Sequence, residues 1–212
     1  MSLQDGMAAL YLEMPDRVPR TEYSAHFHWN LVQRVTGISV DENSPAEVQV
    51  KASRAFTEAW NYDLMWNIMV GDNYLGNFKT DMGHAIYQQG GGDFHEAKAS
   101  PFQDTDDVWA FDPLTQLPYE AHEDIVRKFN ENYDKRCAEM PNLVNMTGVY
   151  ITCMSGLIGM LGWDILLTAM GEDSKKFGEF TNRYCQWISR YFGALACCKA
   201  PVVMIHDDIV WT

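Results

Sequence analysis

A chain of 212 residues is long enough to bury a sizeable core and short enough to form one domain. With 47% hydrophobic and 21% charged residues it is too apolar to be disordered. A net charge of −13 argues against nucleic acid, because a phosphate-binding surface needs a cationic field. No apolar run reaches the ~20 residues that span a bilayer, and no basic-then-apolar leader opens the chain, so neither a membrane partner nor a signal peptide is expected. The five cysteines, Cys137, Cys153, Cys185, Cys197 and Cys198, have no framework spacing. That usage fits a reducing, cytoplasmic compartment.

The first predicted element is a helix from Gln4 to Glu13. The segment Met14-Pro-Asp-Arg-Val-Pro19 then leads into a strand near Arg20 to Ala25. Ser44-Pro-Ala-Glu47 reads as a helix start, with a Ser cap, Pro in the first turn and Glu three residues after the cap. That helix should reach Trp60. Tyr62 to Met69 reads as a second strand, ending at Val70-Gly-Asp-Asn73. Gly83 to Asp112 is loop-rich: Gly90-Gly-Gly92 lacks nucleotide-loop spacing and predicts a turn beside the pocket, while Asp104, Asp106 and Asp107 predict a solvated loop or helix cap.

A helix follows from Tyr119 to Glu139, then a third strand from Val144 to Thr152 ahead of Ser155-Gly156. Short helices around Trp163 to Met170 and a long one from Ser174 to Cys198 lead to a fourth strand at Val202. Helices alternating with short apolar runs predict an α/β fold with parallel strands. Four such strands make the N-terminal half of a (β/α)8 TIM barrel, which in full takes ~250 residues. The expectation is a single domain over residues 1–212, truncated at its C-terminus or completed by a partner. An uncovered edge also predicts a homo-oligomer.

Chemistry should gather at the strand ends. His26-Phe-His28 on an extended segment would point both imidazoles one way and start a metal site, or else pack the barrel mouth. Gly71 lets the chain turn and present Asp72, with Asn73 beside it, as a pocket carboxylate; the alternative is an Asp that caps the next turn. His206 and Asp208 would share one face and Asp207 the other. A His–Asp pair facing a pocket suits acid–base work or metal ligation; the alternative is a buried salt link that closes the strand end.

Taken in order, Asp16-Arg-Val-Pro19, Val70-Gly-Asp72, Cys153-Met-Ser-Gly156 and His206-Asp-Asp-Ile209 resemble the uroporphyrinogen decarboxylase superfamily. That superfamily includes corrinoid-dependent methyltransferases and O-demethylases. The resemblance spans nearly all of the chain and the N-terminal part of the family's barrel. It implies that Asp72 matches the decarboxylase Asp that binds pyrrole N–H groups. The family's arginine-rich segment is not matched, since His26-Phe-His-Trp-Asn-Leu31 is followed by no arginine until Arg34. The family's Tyr after the third strand is replaced by Thr168 and Ala169. A substrate with many carboxylates needs several cations.

The resemblance therefore points to the methyl-transfer branch. There a methyl group moves between a small methylated donor and a corrinoid (cobalamin) on a partner protein. The expected catalytic residues are Asp72, His206 and Asp208, with substrate contacts from His26, His28, Asn73, Ser155, Gly156 and Asp207. Zinc, where that branch uses it, has ligands that would lie beyond residue 212. The alternatives are a decarboxylase-like lyase acting on a porphyrinogen and a non-catalytic tetrapyrrole-binding protein.

Overall fold

The computed structural model describes residues 1–80, 86–88, 91–93 and 100–207. In chain order the elements are α1 (Leu3–Leu10), α2 (Trp29–Thr36), α3 (Ala46–Ala59), β1 (Leu64–Met65), β2 (Ile86–Gln88), β3 (Gly91–Asp93), α4 (Thr105–Ala110) and α5 (Pro113–Gln116). They continue with α6 (His122–Glu139), β4 (Val144–Asn145), β5 (Thr147–Val149), α7 (Cys153–Glu172), α8 (Ser174–Leu195) and β6 (Val203–Ile205). Short 3-10 turns at Ala25–Phe27 and Asp72–Leu75 complete the set.

The half-barrel expectation is overturned. Among the described residues the chain is mostly helical, 57%, with four short strands in two parallel two-stranded pairs, β1 with β4 and β5 with β6. β2 and β3 form a separate antiparallel pair, so Gly91 and Gly92 lie in a strand rather than a turn. Gly90 lies outside the described residues.

The expected long strands are interrupted by local hydrogen bonding. The Met69 and Val70 N–H groups both donate to Gly148 O, which breaks the alternation of a regular ladder. Thr152 N donates to Tyr150 O, a tight turn that ends the 144–152 run. The strand expected at Arg20 to Ala25 is absent because the Arg20 N–H is taken by the Asp63 carboxylate. The chain beyond it curls into the first 3-10 turn.

The chain divides into two compact units. The first comprises Met1–Asn67, Asn132–Thr147 and Ala200–Val202. Its core is Val32, Val40, Ala52, Phe56, Tyr62, Met140 and Leu143. Ala52 and Phe56 are one helical turn apart, so they bury one face of α3. α3 starts one residue later than a Ser44 cap predicts. Pro45 occupies the cap position, and the Ser44 hydroxyl donates to Asp41 instead. α2 stops at Gly37, whose φ of 71° is the left-handed turn that glycine takes without penalty.

Asp63 organises the N-terminal segment of this unit. Fully buried, it accepts N–H groups from Ser2 and Arg20 and pairs with Arg17. A buried carboxylate satisfied in this way avoids the desolvation cost of an unpaired charge.

The second unit comprises Ile68–Glu131, Gly148–Lys199 and the residues from Val203 onward. Its larger core draws on α4, α6, α7 and α8, including Phe111, Phe129, Leu157, Met160, Phe180 and Trp187. Asp104, Asp112 and Asp173 cap α4, α5 and α8 by accepting first-turn N–H groups, the cap role foreseen for Asp104. α7 spans 20 residues but is broken at Gly162, whose φ of 73° and ψ of 165° are not helical, so the expected short helix around Trp163 to Met170 is its second half. By length and composition alone α7 is apolar enough to cross a bilayer, a measure that the core helix of a globular protein also meets. Here Leu157, Ile158, Met160, Leu161 and Leu166 use that apolarity to fill the core.

Candidate functional site

The best-defined cluster of polar and reactive groups surrounds the start of α7 in the second unit. Three segments set it up. Val70 bridges Val149 in parallel, and β6 lies beside β5, where the His206 N–H donates to Val149 O at 3.2 Å. Parallel neighbours end on the same side. Asp72, the start of α7 and His206-Asp207 therefore leave the strands at one end. Carboxyl ends of parallel strands are where α/β folds place ligands.

At that end α7 opens with reciprocal capping between Thr152 and Ser155. The Asp207 carboxylate accepts the Met154 and Ser155 N–H groups, both at 3.2 Å. Negative charge is favoured there by the helix dipole. The Ser155 hydroxyl donates to Tyr150 O at 2.8 Å, and the Thr152 hydroxyl donates to His206 O. The His206 ring stacks on Tyr150 with centroids 4.4 Å apart and planes 9° from parallel.

Asp72 is half-buried and opens the second 3-10 turn. A methyl group placed on Gly159 would sit 3.8 Å from Asp72 Oδ1, so the carboxylate lies against the second turn of α7. Gly71 holds an ordinary extended φ of −124°. Its value is therefore compactness against Ile68 rather than the sharp turn expected of it. Asn73 is exposed.

Beneath the cluster lies Tyr184 of α8, fully buried, donating to Ile151 O at 3.1 Å and Thr152 O at 3.2 Å. Burial pushes its hydroxyl pKa well up, and the charges of Cys153, Cys185, Asp207 and Asp72 push it further. Those four groups thus share one electrostatic neighbourhood. Gly156 packs directly under Tyr184: a Cβ there would fall 1.8 Å from the phenol oxygen. Cys153, the first residue of α7, approaches Cys185 of α8 with sulfurs 3.8 Å apart. Burial, then Cys185 and Asp207, raise the Cys153 thiol to about 11.

The predicted residues thus divide. Asp72, Asn73, Ser155, Gly156, His206 and Asp207 belong to the second unit, whereas His26 and His28 belong to the first. The His pair lies at a 3-10 turn, not on an extended segment, so one ring is buried and the other exposed. His26 packs on Phe27 and edge-on to Tyr62, and burial, with His28 nearby, lowers its pKa to about 4. Among the described residues no group of three His, Cys, Asp or Glu side chains could hold a metal ion. The described residues therefore do not by themselves make a zinc site. Asp208 lies outside the described residues.

Comparison with protein-family models, curated proteins and solved structures finds no match for this chain.

Sequence reasoning did not single out Tyr150, Tyr184 or Cys185. Tyr184 and Cys185 sit inside a regular helical pattern, and nothing in that pattern marks them as facing the start of α7. Tyr150 falls inside the run read as the third strand and nothing there marks it.

Proposed function

We propose that this protein is a methyltransferase related to the uroporphyrinogen decarboxylase superfamily. In this reading it moves a methyl group between a small methylated donor and a corrinoid on a carrier protein. The observation that carries the reading is the gathering of Asp72, His206 and Asp207 at one end of the parallel segments. The motif order along the chain supports it independently.

Charge favours methyl transfer over decarboxylation of a polycarboxylate. The arginines of the second unit are engaged elsewhere: Arg127 with Asp124, Arg183 with Asp112 and Arg190 over Tyr119. The cluster itself carries carboxylates, which suit a neutral or cationic donor. The exposed Val203 and Ile205 of β6 offer an apolar surface suited to a macrocycle edge. A corrinoid supplies the cobalt that accepts the methyl group. In the chain itself, Asp72 accepts an N–H or O–H of the donor and orients it. His206 gives a proton to the heteroatom that the methyl group leaves. Asp207 holds the start of α7 and with it Ser155 and Thr152.

The test follows the absorbance of cob(I)alamin with the full chain and a panel of methylamines, methanol and methoxylated aromatic acids. Chain-dependent loss of the cob(I)alamin band with at least one donor is expected. Asp72→Asn should slow it by about 100-fold, the loss typical of one positioned catalytic group. No acceleration with any donor, alongside carbon dioxide release from a porphyrinogen, would move the decarboxylase reading to first place.

A further inference from the structure

We propose that Cys153 and Cys185 form a redox dithiol that closes to an intramolecular disulfide between α7 and α8. The two sulfurs are 3.8 Å apart, already in contact, although the residues are 32 apart in sequence. A disulfide needs ~2.05 Å, so each sulfur moves by roughly an ångström. Cys153 can supply that motion. As the first residue of α7 it has no preceding helical turn against which its side chain would clash. Both side chains are half-buried, open enough for a small oxidant yet held in place by packing.

The remaining cysteines do not compete. Cys197 and Cys198 are adjacent in sequence, and Cys137 lies in the other unit.

The step balances with a small disulfide as oxidant. The Cys153 thiolate attacks one sulfur of oxidised glutathione and expels one glutathione thiolate. The Cys185 thiolate then attacks the mixed disulfide at Cys153 and expels the second glutathione. Two protein thiols are oxidised, one glutathione disulfide is reduced, and the two thiol protons pass to the two glutathione thiolates.

The same cluster sets the threshold of this exchange. A cysteine at a helix start is normally activated by the helix dipole. Here Asp207 already occupies those N–H groups. Tyr184 and Cys185 on α8, and Asp72 in the 3-10 turn, are the other titratable groups close by. The resting thiol is therefore shielded at neutral pH and reacts faster as pH rises. Because none of this depends on methyl transfer, it stands or falls separately from that reading.

The test incubates the reduced full chain with oxidised glutathione, then blocks the remaining thiols and maps the peptides by mass spectrometry. The expected result is loss of two of the five thiols, a single Cys153–Cys185 cross-linked peptide, and reversal by dithiothreitol. The unfolding midpoint should rise by about 5–10 °C as the link restrains the unfolded chain. Asp207→Asn should speed closure at neutral pH about tenfold, because it removes the charge that suppresses the thiolate. Cross-links that involve Cys197 or Cys198, or mixed disulfides with Cys153 and Cys185 still reduced, would overturn the proposal. The mapping needs no variant, so poor folding of Asp207→Asn would not spare it.

Discussion

His26 is 2% exposed and, among the described residues, nothing partners its Nδ1, so the folded chain holds the ring neutral. Its pKa falls from 6.5 to about 4 on folding. Above pH 6.5 the ring is neutral in both states and costs nothing. Between pH 6.5 and 4 the unfolded chain takes up a proton that the folded chain refuses, so stability falls as pH falls through that window. The full loss is about 3 kcal/mol, reached near pH 4. Urea unfolding from pH 7 to pH 4 should show it, and His26→Gln should flatten that part of the profile. An unchanged profile would mean that the ring reaches solvent. Spacing suggested that His26 and His28 point the same way, but the sequence did not reveal the 3-10 turn that sends one ring inward. Asp207 teaches the same lesson. Alternation along the chain separated it from its neighbours, yet its partners, the N–H groups of Met154 and Ser155, lie some 50 residues earlier.

Helices were more legible than strands because a helix satisfies its hydrogen bonds within one segment, whereas a strand depends on a distant neighbour. The helix predicted from Ser44 to Trp60 is found at Ala46–Ala59, and the one predicted from Tyr119 to Glu139 at His122–Glu139. The apolar runs read as long strands yield only pieces of two or three residues, the 144–152 run being split into β4 and β5. The first half of α7 was missed because its glycines, Gly156 and Gly159, resemble a loop, whereas Gly162 does break the helix. At Gly156 the reason is close packing with α8. Gly156→Ala would force its methyl into the Tyr184 hydroxyl and should cost about 3 kcal/mol or more. Tyr184→Phe alone should cost about 1–2 kcal/mol, since Ile151 O and Thr152 O lose their donor. In the Tyr184→Phe background the Gly156→Ala penalty should shrink by about 1 kcal/mol. It should not vanish, because the ring carbon that bears the hydroxyl is still only 2.8 Å away. A double-mutant cycle by denaturant unfolding measures this coupling. Additive penalties would show that the clash is not with the phenol.

For the whole chain, composition set the right class of object: an acidic protein with enough apolar residues to build a substantial core. It did not set the architecture. Counting apolar runs as strands led to half a barrel, whereas the chain spends its most apolar stretch on α7 and builds two cores. The cores differ in size. Along α8, Phe180, Tyr184, Trp187, Ile188, Tyr191, Ala194 and Leu195 form one continuous buried stripe. Along α3 the buried residues are Ala52, Phe56 and Thr57. Hydrophobic stabilisation scales with apolar area removed from water, so the second unit should hold its helices more tightly. Local opening is governed by the stability of the unit that opens, which makes hydrogen exchange the appropriate readout. Interior amides of α8 should exchange at least about tenfold more slowly than those of α3 under native conditions. Equal rates in the two helices would mean that they open together in one cooperative event. The smaller core would then draw its stability from the rest of the chain rather than from the residues it buries.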